Sequence, residues 1–149
     1  MSLKARIESD VKTAMLSGER FTADTLRSLK ATILNEEVAQ GKRDEGLDDT
    51  TIEKLIAREV KKRAESATLY DQAGRQELAD NERNESNILE QYLPEQVSEE
   101  AIKKVVDETV AALGASGPQA MGQVIGAVKG KFGNSADGAT IARLVKEAL

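Results

Sequence analysis

Hydrophobic positions along the chain recur at spacings of three and four, and no stretch alternates long enough to argue for a strand. The spacing predicts a first helix from about Leu3 to Leu16, with Ser2 as N-cap and Leu3, Ile7, Val11, Ala14 and Met15 on one face. Gly18 ends it. A second helix is expected to start near Thr22 or Asp24 and run to about Gly41, carrying Leu26, Leu29, Ile33 and Val38. The charged stretch KRDEGLDD then reads as a solvated loop. A third helix, starting at Thr50 or Thr51, sets a stripe of Ile52, Leu55, Ile56, Val60, Ala64, Ala67 and Tyr70 opposite a strongly charged face. After the Ala73-Gly74 break, a fourth runs from about Gln76 to Tyr92, anchored by Leu78, Ile88, Leu89, Tyr92 and Leu93. Its middle, ADNERNES, is polar enough to be exposed or bundled only by its edges. Pro94 stops it, because the ring pushes Leu93 out of the helical region.

Beyond Pro94, Ser98 is a good N-cap, with Glu99 and Glu100 placed near the positive end of the next helix. That fifth helix presents Ile102, Val105, Val106, Val110 and Leu113, and Gly114 closes it. Gly117-Pro118 opens a sixth, at a position where the missing proline N–H costs nothing. Met121, Val124, Ile125 and Val128 are its apolar stripe. Asp137 caps a seventh, with Ile141, Leu144, Val145 and Leu149 facing inward. The reading is an all-α protein: an N-terminal bundle of about four helices over residues 1–94, then a small three-helix bundle over 95–149. The second is so short that its residues must pack tightly.

Composition narrows the chemistry. Asp and Glu (26) slightly outnumber Lys and Arg (21) in the 149 residues, so the chain is not a uniformly basic nucleic-acid binder and any RNA or DNA contact needs a local patch. Only Phe21, Tyr70, Tyr92 and Phe132 are aromatic, which leaves little for base stacking. With neither cysteine nor histidine, disulfides, zinc–thiolate sites, cysteine nucleophiles and histidine triads are excluded. A P-loop is absent, and so is a Gly/Ser-rich amidase core with a lysine base. No catalytic residue is assigned, and neither a metal nor another cofactor is expected; Asp80, Glu82 and Glu85 fall at helical spacings without forming a clustered oxygen set. No apolar run approaches the ~20 residues of a membrane span and no signal peptide opens the chain, so a cytoplasmic location away from membranes is expected.

The stretch MGQVIGAVKGKFGNSADGATI, Met121 to Ile141, carries five glycines in a helical context. Each glycine inside a helix costs about 0.5–1 kcal/mol relative to alanine, so a compensating contact is expected. Gly122 and Gly126, four apart, are expected to let a neighbouring helix approach closely; Gly130 and Gly133 would make the turn, and Gly138 the first turn of the last helix behind the Asp137 cap. Lys129 and Lys131 flank that turn and, with Arg143 and Lys146, form the candidate phosphate-contacting set. Arg58, Lys61, Lys62, Arg63 and Arg75 are interleaved with Glu59 and Glu65 and read as a solvated face, with Glu59 and Arg63 adjacent on the helix surface.

The stretch YDQAGRQELADNERNESNILEQYLPEQ, Tyr70 to Gln96, is followed by Gly114 to Pro118, Met121-Gly122-x-Val124, Ala136-Asp137-Gly138 and Leu144-Val145-Lys146. In this order and spacing the motifs resemble the GatB/YqeY family over essentially the whole chain. That family includes free-standing YqeY-like proteins and the C-terminal tail of the GatB component of the glutamine-dependent aminoacyl-tRNA amidotransferase. The resemblance implies two helical bundles and a tail-like module that helps hold tRNA, while the carbon–nitrogen ligation, with glutamine as amido donor, occurs elsewhere. Its implied partner is tRNA or an aminoacyl-tRNA-handling complex; the alternative is a protein–protein adaptor with no RNA contact. Where the family tends to be basic on either side of Ala136-Asp137-Gly138, this chain has Ser135 and Ala139.

Overall fold

Seven helices account for the fold, and side-chain caps fix where four of them start. The computed structural model describes residues 1–149, with α1 (Leu3–Leu16), α2 (Arg20–Ala39), α3 (Asp49–Gln72), α4 (Gln76–Glu90), α5 (Glu99–Leu113), α6 (Met121–Phe132) and α7 (Gly138–Ala148). Short 3₁₀ turns at Pro118–Ala120 and Gly133–Ser135 bracket α6, and there is no strand. The side chains of Ser2, Asp48, Ser98 and Asp137 accept from the backbone N–H three residues on, satisfying a donor that the first helical turn leaves free. The chain divides into two compact units, Met1–Leu93 and Pro94–Leu149, each closed around a hydrophobic core of its own.

In the first unit, α1 packs on α2 and α3 packs on α4 along its length. Ile7, Leu26, Ile33, Ile52, Ile56 and Leu89 meet in the core and are almost wholly removed from water, each worth about 1.5–3 kcal/mol of transfer free energy. The far half of the α3–α4 pair lies outside that cluster, and small side chains such as Ala67 and Ala79 are what it buries.

The helix starts differ from expectation for local reasons. Helix α2 begins at Arg20, ahead of Thr22 and Asp24, because the Gly18 turn supplies backbone bonds of its own: Glu19 N–H donates to the Ala14 carbonyl and Ala23 N–H to that of Glu19. Helix α3 begins at Asp49, ahead of Thr50 and Thr51, because Asp48 caps it. Met15 and Val38, expected on the inner faces, sit at the edges of their stripes and are 56% and 61% exposed. The charged face of α3 is not uniformly solvated. Arg63 is largely covered and bridges two helices, its Nη1 2.8 Å from Glu59 Oε2 and its Nε 2.9 Å from Glu85 Oε2. That bridge is how the polar middle of α4 packs by its edge.

In the second unit α5, α6 and α7 pack on one another in all three pairings. Ile102, Val106, Val124, Val128, Ile141, Leu144 and Val145 form an aliphatic core. Gly114 ends α5 in the left-handed conformation. The entry segment is pinned to the turn before α7, where Val97 N–H donates to the Ser135 carbonyl at 2.8 Å and Gln96 Nε2 to that of Asn134 at 3.0 Å. Helix α6 runs through Gly130 to Phe132, so Gly130 is helical and is not part of the turn. Gly133, at φ +56°, makes it.

Candidate functional site

Helix α6 presents two contrasting faces. Val124 and Val128 are fully buried against α5 and α7, while Gly122, Gly126 and Gly130 follow at four-residue spacing on the exposed side. A Cβ added at any of these three glycines would meet nothing within 4 Å. The close helix approach expected at Gly122 and Gly126 is therefore not made within this chain, whose neighbouring helices use the valine side. About 0.5–1 kcal/mol of helix stability per glycine is forgone here with no packing in return.

Two of the four candidate cations close the helix that carries that bare face, Lys129 beside the glycine stripe and Lys131 about a quarter turn past Gly130. Lys129 and Lys131 occupy the last turn of α6, where their charge complements the negative end of the helix. The Lys129 side chain reaches to the start of α7; its Cε and Nζ would lie 3.5 Å from a Cβ on Gly138, an ordinary contact distance. Asp137 turns its carboxylate to the backbone, accepting from Thr140 N–H at 3.1 Å and from the Thr140 hydroxyl at 2.9 Å. Arg143 is set apart from the group: its guanidinium pairs with Glu99 of α5 and, at 3.2 Å, with Glu147. It ties α7 to α5 rather than standing open. Lys146 is exposed eight residues beyond Gly138, about 12 Å further along the helix at 1.5 Å per residue. The unit holds seven acids and six cations, so any positive potential here is local.

Two polar assemblies in the first unit escaped the reading of the sequence. Glu37 of α2 is 1% exposed and accepts from Lys4 Nζ at 3.1 and 2.9 Å and from Leu47 N–H at 3.2 Å. The Lys4 ammonium, aided by the Leu47 N–H, holds its carboxyl below the usual carboxylate range despite burial. The signal was there to find, since Glu37 continues the Leu29–Ile33 stripe at the next four-residue step. Tyr92 likewise donates its hydroxyl to Asp10, while the Arg6 guanidinium lies 4.8 Å from its ring centroid. No group of three or more acidic side chains converges to hold a metal ion, and no helix is long and apolar enough to cross a membrane.

The family model described as "Yqey-like protein" matches residues 4–149. The chain belongs to the YqeY-like family. Among similar proteins is one named "Altered inheritance of mitochondria protein 41, mitochondrial" from Clavispora lusitaniae, 32% identical over 92 residues, 62% of this chain and 52% of the relative. A protein of the same name from Kluyveromyces lactis is 31% identical over 105 residues, 68% of this chain and 56% of that one. Another, from Pyrenophora tritici-repentis, is 25% identical over 147 residues, 97% of this chain and 79% of the relative. The chain spans about half the length of the two yeast relatives. These names overturn the cytoplasmic expectation for this YqeY-like chain, because the proteins it resembles are mitochondrial by name. That expectation rested on missing spans and leaders, and an absence carries no address.

Proposed function

We propose that the second unit of this YqeY-like protein is a non-catalytic docking module that receives the ribose–phosphate backbone of tRNA, alone or within a tRNA-handling complex, on the outer face of α6. The observation that carries the reading is the uncompensated glycine stripe, Gly122, Gly126 and Gly130, lying open beside Lys129 and Lys131. Glycines kept at a cost to the helix need a return, and inside the chain there is none. Without side chains, the helix backbone can come close to another backbone, while the two ammonium groups supply the attraction that a phosphate requires. Likeness to the tail of the amidotransferase component supports tRNA as the polyanion. Lys146 serves as an outlying contact, and Arg143 stays with its carboxylates.

A tRNA titration of the full chain at two salt concentrations tests this. Lys129→Ala together with Lys131→Ala should flatten the log–log salt dependence by about 1.8, at roughly 0.9 for each phosphate no longer neutralised. Replacing Gly122, Gly126 and Gly130 with alanine should raise thermal stability by about 0.5–1 kcal/mol per site while weakening tRNA binding, since the added methyls occupy the docking face. Arg143→Ala should leave the salt slope unchanged. No binding at low salt, or a slope indifferent to the two lysines, would overturn the proposal.

A further inference from the structure

The α1–α2 hairpin has an open outer flank marked by two depressions. One, of about 260 Å³, lies between the start of α1, at Lys4 and Ile7, and the end of α2, at Lys30, Ala31 and Leu34. The other, of about 340 Å³, lies between the end of α1, at Ala14 and Met15, and the start of α2, at Ala23 and Arg27. On each helix these residues recur at three- and four-residue steps, so the two depressions lie end to end on one face of the hairpin and together mark a furrow. From Lys4 to Met15 it runs about 16 Å, three turns of a helix.

Its surface departs from the rest of the unit in two ways. Met15 and Leu34 leave 56% and 39% of their surface in water, and Val38, one turn beyond Leu34, leaves 61%. Its charge is also reversed. Acids outnumber cations 19 to 15 in the first unit, yet five cations line the furrow against Glu8, Asp24 and Glu37. Lys4 is neutralised by Glu37, whereas Arg20, Arg27 and Lys30 make no ion pair within the chain.

We infer that this furrow binds an acidic amphipathic helix of another protein. About three turns long, it sets apolar residues at i and i+3 or i+4 on Leu34 and Ala31 and at about i+11 on Met15, with Asp or Glu on either side facing Arg20, Arg27 and Lys30. A furrow between two helices, with exposed Met15 and Leu34 at its two ends and cations along it, fits a third helix. A nucleic acid fits it badly, because Met15 and Leu34 stand where phosphates would lie. A second copy meeting furrow to furrow would set like charges against one another. The site is on the first unit and is independent of the tRNA reading of the second.

The test displays a library of amphipathic helices of random charge to the full chain, with counter-selection on the double variant Met15→Asp/Leu34→Asp, whose changes fall on exposed side chains. Enrichment of net-acidic sequences with the stated apolar spacing is expected. A synthetic peptide of the most enriched sequence should bind Arg27→Glu/Lys30→Glu at least about tenfold more weakly, with the chain's helical circular dichroism unchanged. No enrichment over the counter-selected variant, or enrichment of basic or uncharged helices, would overturn the inference. So would displacement of the peptide by tRNA, or sedimentation showing self-association that Leu34→Asp abolishes.

Discussion

Replacing Glu37 with alanine is expected to destabilise the first unit by about 3 kcal/mol, lowering its melting temperature by roughly 15 °C. The carboxylate is buried, and it joins the start of α1 to the loop before α3 through Lys4 and Leu47. Removing it leaves the Leu47 N–H inside the protein without its acceptor, and the Lys4 ammonium without its counter-charge. Lys4 keeps some access to water, which holds the loss to the lower end of what a broken buried pair costs. Glu37→Gln preserves shape and an acceptor, and should lose about half as much. The acid response has a definite sign. The folded carboxyl titrates below its ordinary value of 4.5, so its contribution is complete above that pH and is lost as pH falls through the folded value. Urea midpoints followed from about pH 7 to about pH 3 should therefore fall more steeply for the natural protein than for Glu37→Gln.

The second large effect is expected at Tyr92. Tyr92→Ala should cost about 4 kcal/mol, because a ring that is 6% exposed leaves a cavity where the turn after α4 meets α1. Tyr92→Phe keeps the ring beneath Arg6 and loses only the hydroxyl bond to Asp10, about 1.5 kcal/mol. Burial, and then the neighbouring Asp10 carboxylate, push the Tyr92 hydroxyl well above the ordinary value of 10.0. Folding thus favours its protonated form: the stabilisation is present below pH 10.0 and declines as pH rises beyond it. Tyr92→Phe should abolish this share of the alkaline sensitivity, which denaturant midpoints on either side of that pH would reveal.

The helices were legible because their apolar stripes and caps are local. Ser2, Ser98 and Asp137 announce the starts of α1, α5 and α7. What failed to show was polar chemistry across distance. Glu37 and Lys4 are 33 residues apart, Tyr92 and Asp10 are 82, and a single sequence ranks no such pairing above another. Arg63 looked like one more surface cation until α4 brought Glu85 beside it. At the candidate site, the glycine spacing was readable but the occupant of the space was not. Only the fold shows that the valine side of α6 meets its neighbours and the glycine side meets none. The same holds for Arg143, whose attraction to Glu99 spans two helices.

Both tyrosines, Tyr70 and Tyr92, belong to the unit that ends at Leu93, and the chain has no tryptophan. Its tyrosine emission is consequently a reporter for the first unit alone, whereas far-ultraviolet ellipticity sums over both. Two melting curves recorded on a single sample, one by each optical signal, would separate the cooperativity of the two hydrophobic interiors without cutting the polypeptide.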